Sequence, residues 1–309
     1  MRTVFLGTSE FAAGLLTRLV GKRGQPGSYA PALVLTRPDR PAGRGRKLAS
    51  PPVAERARAL GLELAQPESV NEPATRDLIA GVAPEVVVVC AFGALVKEPL
   101  LSDYEMLNVH PSLLPRWRGA APIERAIMAG DEQTGVSIMR LTAGLDSGPV
   151  CLSASEPVEP QDTFGSLAER LERVGGELLL QALSALQRGE RLEYAAQDED
   201  LVTYAEKLGS AERLLDPGHP AVELERAVRG LSPHIGARVA LSDGTLLGVR
   251  RTAPATQTVR EAGEGVHVRE GRLWLDCVEG ALELLEVQPP GKRPMAAEAF
   301  LRGHGLRSP

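Results

Sequence analysis

Three polar residues in the first half of the chain together carry the functional groups that acyl transfer needs. Asn108 and His110 lie two positions apart at the end of the apolar run Met106–Val109, and Asp146 lies in the glycine-flanked segment Thr142–Gly148. Because alternate residues of a strand project from the same face, Asn108 and His110 can converge on one point. An amide can stabilise a developing oxyanion, an imidazole can exchange a proton, and a carboxylate can tune that imidazole. The set therefore indicates proton and acyl-group chemistry.

Each of these residues also has a purely structural interpretation. An asparagine at a strand end can make a turn bond, a histidine can pack below the next loop, and Asp146-Ser-Gly148 is a common turn sequence. The chain has no serine or cysteine in a G-x-S-x-G elbow. If the set is catalytic, direct attack by a substrate amine is therefore favoured over a covalent intermediate.

Two glycine-containing segments invite a nucleotide-binding interpretation, but both lack its sequence context. Gly7 is followed by Thr-Ser-Glu-Phe, without the G-x-G-x-x-G spacing that lets the backbone approach a pyrophosphate. The segment Gly43-Arg-Gly45 does not directly follow a strand-like run. A dinucleotide site is therefore disfavoured.

The apolar pattern predicts the elements that must position these residues. Residues 3–6 predict a strand that ends at Gly7 and leads into a helix reaching Leu19, and the β-branched run Glu85–Cys90 predicts a strand buried on both faces. Strands that alternate with helices predict an open, mostly parallel, Rossmann-like α/β sheet, with ligands outside the carboxyl ends of its strands. The other predicted elements are helices over 52–60, 71–81 and 163–188, and strands over 32–35, 106–109, 136–141 and 150–153.

The length of 309 residues favours two domains. We predict a first domain over residues 1–189 and a linker over 190–207, where the sequence is charged and lacks periodicity. Residues 208–309 predict one helix at 221–231 and several short strands, which is typical of a smaller antiparallel barrel of the OB type. Those strands are predicted over 236–241, 245–252, 265–269, 272–276 and 281–287.

Composition narrows the range of partners. The net charge of −5 disfavours a protein that coats nucleic acid through bulk charge, but residues 37–47 hold five basic residues and one acid. Glycine and proline within 38–43 predict that this basic segment is an exposed loop without regular structure. The three cysteines are widely spaced, so we expect core residues and no disulfide, zinc or other metal site. No apolar stretch approaches the ~18–20 residues of a membrane span, and we expect a soluble, cytoplasmic protein.

Several segments of the chain resemble one known family. Asn108-Val-His110-Pro-Ser-Leu-Leu-Pro-Arg-Trp-Arg-Gly-Ala-Ala-Pro122 closely resembles the 10-formyltetrahydrofolate-dependent formyltransferases, and 135–148 fits the same superfamily, which includes glycinamide ribonucleotide and amino-sugar formyltransferases. Residues 37–47, 201–208 and 288–295 look like the methionyl-tRNA formyltransferase branch in particular. The resemblance covers essentially the whole chain.

This resemblance implies the formyltransferase fold and a reaction. The formyl group of 10-formyltetrahydrofolate would pass to the α-amine of methionine on initiator tRNA, in translation initiation, without a metal. The protein would be a monomer, and residues 208–309 would contact tRNA through a local patch, because their 13 basic residues equal their 13 acidic ones. The implied catalytic residues are Asn108, His110 and Asp146; the folate-binding residues are Ser112, Leu113, Leu114, Pro115, Ala91, Phe92 and Gly93; the tRNA-binding residues are Arg44, Arg46 and Lys47. Pro111 stands where some members have glycine, which would alter the rigidity of this loop.

Other functions stay open at this point. The catalytic set alone also suits formyl transfer to an amino sugar or purine intermediate, or hydrolysis of the formylfolate. A non-catalytic RNA-binding protein could combine an OB-like domain with the basic segment. The basic segment and the second domain favour the tRNA substrate, since an enzyme acting on a small metabolite needs neither.

Overall fold

The computed structural model describes residues 1–21, 29–42, 47–255 and 265–304, and the chain forms two compact units. Unit 1 comprises Met1–Pro122, Thr134–Glu156 and Ala168–Ala205. Unit 2 comprises Ile123–Gln133, Pro157–Leu167 and Glu206–Pro309. Both units are therefore discontinuous in sequence.

The elements of the first 205 residues follow the predicted alternation. The strands are β1 (Thr3–Gly7), β2 (Leu33–Leu35), β3 (Arg40–Ala42), β4 (Lys47–Ala49), β5 (Leu64–Ala65), β6 (Val86–Cys90), β7 (Met106–His110), β8 (Arg118–Gly119), β9 (Gln133–Arg140), β10 (Val150–Pro157) and β11 (Tyr204–Ala205). The helices are α1 (Glu10–Val20), α2 (Pro52–Ala59), α3 (Pro73–Val82), α4 (Leu100–Asp103), α5 (Pro122–Ala129) and α6 (Phe164–Gln187).

Unit 1 is built on a seven-stranded sheet of order β10-β9-β7-β6-β1-β2-β5. The pairs from β5 to β7 are parallel, and β9 runs antiparallel to β7. All residues of β1, β6 and β7 are buried, as unbroken apolar strands in a covered sheet should be. The predicted open, mostly parallel sheet is confirmed. Because β1 lies between β2 and β6, the strand order reverses there, and the carboxyl ends of β6 and β7 open onto the same edge.

The basic segment 37–47 differs from its prediction. We predicted no regular structure, but β3 and β4 form a two-stranded antiparallel hairpin in which Pro41 pairs with Leu48. Both strands of an isolated pair are edges, where a proline without an N–H is tolerated. The prediction of an irregular loop is therefore wrong for Arg40–Ala42 and for Lys47. Arg44 and Arg46 lie outside the described residues, as does the side chain of Lys47.

Residues 190–205 of the predicted linker, which spanned 190–207, belong to unit 1 and are bonded to it at several points. Ala195 forms an antiparallel bridge with Val150, Glu199–Leu201 is a short 3-10 helix, and β11 pairs in parallel with β8. Its strand pairings are only one or two residues long, so they leave no periodic signal in the sequence. These contacts bring it to the functional site described below.

Unit 2 contains an antiparallel sheet of order β12-β13-β16-β15-β14, with a short β17 beside β16. Its elements are α7 (Ala221–Gly230), β12 (Ala237–Ala240), β13 (Leu246–Ala255), β14 (Val266–Arg269), β15 (Arg272–Asp276), β16 (Ala281–Gln288), β17 (Met295–Ala296) and α8 (Ala297–His304). The core includes Leu224, Leu247, Leu273, Leu284 and Phe300. The antiparallel strands confirm the predicted class of the second domain, and its sheet is an open half-barrel in the described residues. Across those same ranges, every helix is too short or too polar to span a membrane.

Candidate active site

A cavity of about 500 Å³ opens at the carboxyl ends of β6 and β7. Its wall is mainly apolar, and its few polar side chains include Asn108, His110 and Asp146. A volume of this size suits a small organic ligand. The cavity is lined by Val89, Ala91–Val96, Asn108–Pro111, Gly119, Ala120, Pro122 and Leu141–Asp146, all of which belong to unit 1.

The fold brings together the three residues that the sequence singled out. Asn108 Nδ2 lies 3.4 Å from Asp146 Oδ1, and His110 Nδ1 lies 3.7 Å from Asp146 Oδ2. Asn108 and His110 are both buried on β7, and the two-residue strand period turns both toward the loop that carries Asp146. An amide, an imidazole and a carboxylate thus converge on one edge of the cavity.

The second nitrogen of His110 fixes which nitrogen can exchange a proton. Nε2 lies 2.8 Å from the Trp117 carbonyl oxygen. Because a carbonyl only accepts, Nε2 must carry a hydrogen and donate it. Nδ1 is then the nitrogen that faces Asp146, and it can gain or lose a proton without breaking the bond that orients the ring.

The Asp146 carboxylate is held by backbone as well as by side chains. The Gly119 N–H donates to Asp146 Oδ2 at 2.9 Å. Asp146 itself has φ of 45°, in the left-handed region, which costs about 1–3 kcal/mol for a residue with a side chain. Such a conformation persists only where the surroundings over-determine it, so the contacts of this loop bear directly on where the carboxylate points.

The residues that resemblance assigned to folate fall into two groups. Ala91, Phe92 and Gly93 line the cavity, where Thr8 Oγ1 donates to the Phe92 carbonyl at 2.7 Å. The residues Ser112, Leu113, Leu114 and Pro115 form the adjacent loop and do not line this cavity. Ser112 is fully buried, and its hydroxyl donates to the Arg116 carbonyl at 2.6 Å. Folate contact by Ala91–Gly93 is therefore the better supported of the two expectations.

Three side chains of the basic segment, those of Arg37, Asp39 and Arg40, take part in internal contacts. Arg37 Nη1 donates to the Gly93 carbonyl at 2.9 Å, and Arg40 pairs with Glu68 at 2.7 Å. A hydrogen bond from Gln66, followed by one from Ser50, holds the pKa of Asp39 below its usual value. Arg37 therefore helps to hold the cavity wall.

A buried arginine that we did not predict as a site residue, Arg118, lies beside the site. Arg118 is only 3% exposed, and its guanidinium donates to Gln197 Oε1 at 2.9 Å and to both oxygens of Glu199 at 2.8 and 3.2 Å. The hydrogen bond with Glu199 raises the pKa of Arg118. Arg118 lies inside the motif that follows His110, which was a usable signal, but Gln197 lies in the predicted linker and carried none.

The described ranges contain no group of three histidine, cysteine, aspartate or glutamate side chains arranged to hold a metal ion.

Family models match both parts of the chain. The formyl transferase model matches residues 1–183, and the model of the formyl transferase C-terminal domain matches residues 207–305. Together the two models cover most of the chain, with the N-terminal model first and the C-terminal model second.

Curated relatives match over nearly the full length. The chain is 43% identical to methionyl-tRNA formyltransferase from Methylococcus capsulatus, covering 99% of this chain and 98% of the relative. It is 41% identical to methionyl-tRNA formyltransferase from Halorhodospira halophila, covering 99% and 97%.

Solved structures show the same fold at low identity. HypX from Aquifex aeolicus, in complex with tetrahydrofolic acid, matches with a TM-score of 0.65 at 17% identity, over 100% of this chain and 48% of that one. The N-formyltransferase from Helicobacter canadensis, in complex with folinic acid and dTDP-3-aminofucose, matches with a TM-score of 0.63 at 13% identity, over 92% and 98%. At these identities, the likeness establishes the fold alone.

Proposed function

The chain belongs to the formyl transferase family, and from this premise we propose that it transfers the formyl group of 10-formyltetrahydrofolate to the α-amine of methionine carried by initiator tRNA. It is then an enzyme of translation initiation. The observation that carries the proposal is the convergence of Asn108, His110 and Asp146 at the mouth of an apolar cavity. Relatives that match over nearly the whole chain and are methionyl-tRNA formyltransferases support the choice of acceptor.

Asn108 and His110 stabilise the charge that develops on the formyl oxygen. The attacking amine forms a bond to the formyl carbon, and the carbonyl oxygen gains negative charge in the tetrahedral intermediate. Asn108 Nδ2 and a protonated His110 Nδ1 can both donate toward that oxygen, since His110 Nε2 already donates to Trp117. Donors fixed before the reaction act without reorganisation, so such an arrangement lowers the barrier.

Asp146 accounts for the protons. The methionine amine must lose a proton to attack, and the folate nitrogen must gain one when its bond to the formyl carbon breaks. Asp146 lies within reach of His110 and can accept the first proton and return one, directly or through water. The transfer then balances without a metal or a covalent enzyme intermediate.

The apolar cavity would hold the folate ring system. Phe92 and the backbone of Ala91–Gly93 line it, and they lie next to the carboxyl end of β6, where open parallel sheets bind ligands. The adjacent loop Ser112–Pro115 is proposed to contact the folate as well. Folate binding and catalysis are thereby assigned to neighbouring but distinct side chains.

The acceptor tRNA requires positive charge outside the cavity. We assign phosphate contacts to Arg44, Arg46 and Lys47, and we expect discrimination to depend on how readily the first acceptor pair opens. The protein is proposed to act as a cytoplasmic monomer, for which the solution mass is the direct measurement. Arg44→Ala should weaken tRNA binding and leave folate affinity unchanged.

The decisive test is formyl transfer by the purified protein to initiator methionyl-tRNA, with elongator methionyl-tRNA and water as competing acceptors. Asn108→Ala should lower kcat by about 10²–10³-fold, the usual cost of an oxyanion donor. Asn71→Ala is a matched control, because Asn71 holds the cavity-wall loop through the Leu95 carbonyl and the Lys97 N–H, at 2.8 Å each. It should raise KM for folate and spare kcat. Full turnover by Asn108→Ala would defeat the assigned roles, and hydrolysis without transfer would defeat the tRNA acceptor.

A further inference from the structure

The segment predicted as a linker reaches both loops of the active site. The Arg118 N–H donates to the Thr203 carbonyl at 2.9 Å, and the Trp117 N–H donates to Thr203 Oγ1 at 2.9 Å. Six residues earlier, Gln197 contacts the loop that carries Asp146. Residues 195–205 therefore tie together two loops that the sequence separates.

Both the nitrogen and the oxygen of the Gln197 carboxamide form hydrogen bonds to these loops. Nε2 donates to the Asp146 carbonyl and to the Gly148 carbonyl, at 2.7 Å in each case. Oε1 accepts from Arg118 Nε at 2.9 Å. Carbonyls only accept and a guanidinium only donates, so these partners fix the orientation of the amide.

Arg118 connects Gln197 to the other loop, which contains Trp117 and Gly119. Its buried guanidinium is locked between Gln197 and Glu199. Its two chain neighbours hold the catalytic side chains, since the Trp117 carbonyl accepts from His110 Nε2 and the Gly119 N–H donates to Asp146 Oδ2. Gln197 thus bridges the backbone of Asp146 to the strand that orients both Asp146 and His110.

We propose that Gln197 is a positioning residue for formyl transfer, which holds Asp146 in its left-handed conformation so that the carboxylate stays between Asn108 and His110. This inference rests on the proposed function, because the role of Asp146 comes from it. The Asp146 carbonyl belongs to the strained residue itself, with φ of 45°, and Gln197 is its side-chain donor. Without that donor the loop relaxes, and a displacement of about 1 Å at a reacting group can cost about 10²-fold in rate.

The test uses two variants of the full chain that separate the contacts of Gln197. Gln197→Met keeps the length and removes all three hydrogen bonds, whereas Gln197→Glu keeps an acceptor for Arg118 and removes both donors to the Asp146 loop. If Gln197 positions Asp146, both variants should lower kcat by about 10–100-fold. Their KM for folate and KM for tRNA should stay close to those of the parent, and their thermal midpoints should fall only by the few degrees that the lost hydrogen bonds cost. Gln187→Glu, at the exposed end of α6, is the matched control and should keep the parental kcat.

Asp146→Asn is measured beside them and separates the two levels of the proposal. If Asp146→Asn is impaired but both Gln197 variants keep parental kcat, the role of Gln197 is refuted and the proposed function stands. The role of Gln197 is also refuted if only Gln197→Met loses activity. It is refuted as well if the fall in kcat is accompanied by matching losses of folate affinity and thermal stability. If Asp146→Asn keeps parental kcat, the assigned chemistry fails first. A similar loss of kcat in both Gln197 variants, with binding and folding preserved, supports the inference.

Discussion

Gly119 is a position where the smallest substitution should disturb the active site. Its φ of 121° lies in a region that residues with a side chain rarely adopt, and an added Cβ would lie 2.7 Å from the Ala205 carbonyl oxygen. That carbonyl accepts from the Ala120 N–H at 2.8 Å and from the Ala121 N–H at 3.2 Å. Since the three nearest atoms are all backbone atoms of Ala205, no flexible side chain can move aside to make room.

The expected cost of Gly119→Ala follows from these contacts. Backbone strain contributes about 1–3 kcal/mol. Weakening the two hydrogen bonds to Ala205 adds about 0.5–1.5 kcal/mol each. We expect the free energy of unfolding to fall by ~2–6 kcal/mol. Because the Gly119 N–H also holds Asp146 Oδ2 at 2.9 Å, kcat should fall by about 10²-fold.

Gly189→Ala is the matched control for Gly119→Ala. Gly189 also has a positive φ, of 79°, but an added Cβ would meet nothing within 4 Å. It should cost only the local strain of about 1–2 kcal/mol and leave kcat unchanged. Urea unfolding gives the free energies, and formyl transfer to methionyl-tRNA gives the rates. Equal destabilisation by the two variants, or a parental kcat in Gly119→Ala, would refute the reasoning.

Three further outcomes are expected. Burial raises the pKa of every cysteine thiol, so the folded protein should not react with a disulfide reagent at about pH 8. The protein unfolded in guanidinium should react at three sites. A thiol that reacts in the native protein would contradict the burial. The residues are Cys90, whose pKa is strongly raised, and Cys151 and Cys277, whose pKa values are raised to about 11. The hydrogen bond from Arg118 lowers the pKa of Glu199, so its stabilising effect is present above about pH 4.3 and is lost as pH falls through the lower folded pKa. Glu199→Gln should therefore be less stable than the parent at neutral pH and should match it in acid, as urea unfolding at several pH values would show. Arg37→Met should raise KM for folate several-fold because it frees the Gly93 carbonyl in the cavity wall, whereas Arg40→Met, which breaks only an exposed ion pair, should not; equal effects would contradict this distinction.

Much of the fold could be predicted because burial leaves a strong pattern in the sequence. The runs Thr3–Gly7 and Val86–Cys90 are apolar on both faces, and only a strand covered by helices on both sides accounts for them. The two-residue period then places Asn108 and His110 on one face without further information. What the pattern could predict was therefore the sheet and the two residues that project from a single strand.

The rest could not be predicted because it depends on backbone carbonyls and on side chains far apart in sequence. Gln197 donates to the carbonyls of Asp146 and Gly148, and a carbonyl is present at every position, so the sequence holds no partner to match with the glutamine. Arg118 is buried although its type is usually exposed, and its contacts with Gln197 and Glu199, both distant in sequence, help to explain why. The hairpin around Pro41 was not predicted because proline usually indicates that a strand is absent. An isolated edge pair needs few of the hydrogen bonds that proline removes, so it tolerates Pro41.

Backbone strain is concentrated where the chemistry is proposed. Among the described residues, five residues other than glycine have positive φ. Three of them, Ala91, Trp117 and Asp146, lie at the cavity or in the loop that orients His110. Strain of this kind persists only where other contacts outweigh it. For Trp117 and Asp146 those contacts come from Thr203 and Gln197, which both lie in the segment after α6. The catalytic geometry is therefore a property of the sheet together with that segment, and the sheet alone does not determine where the carboxylate points.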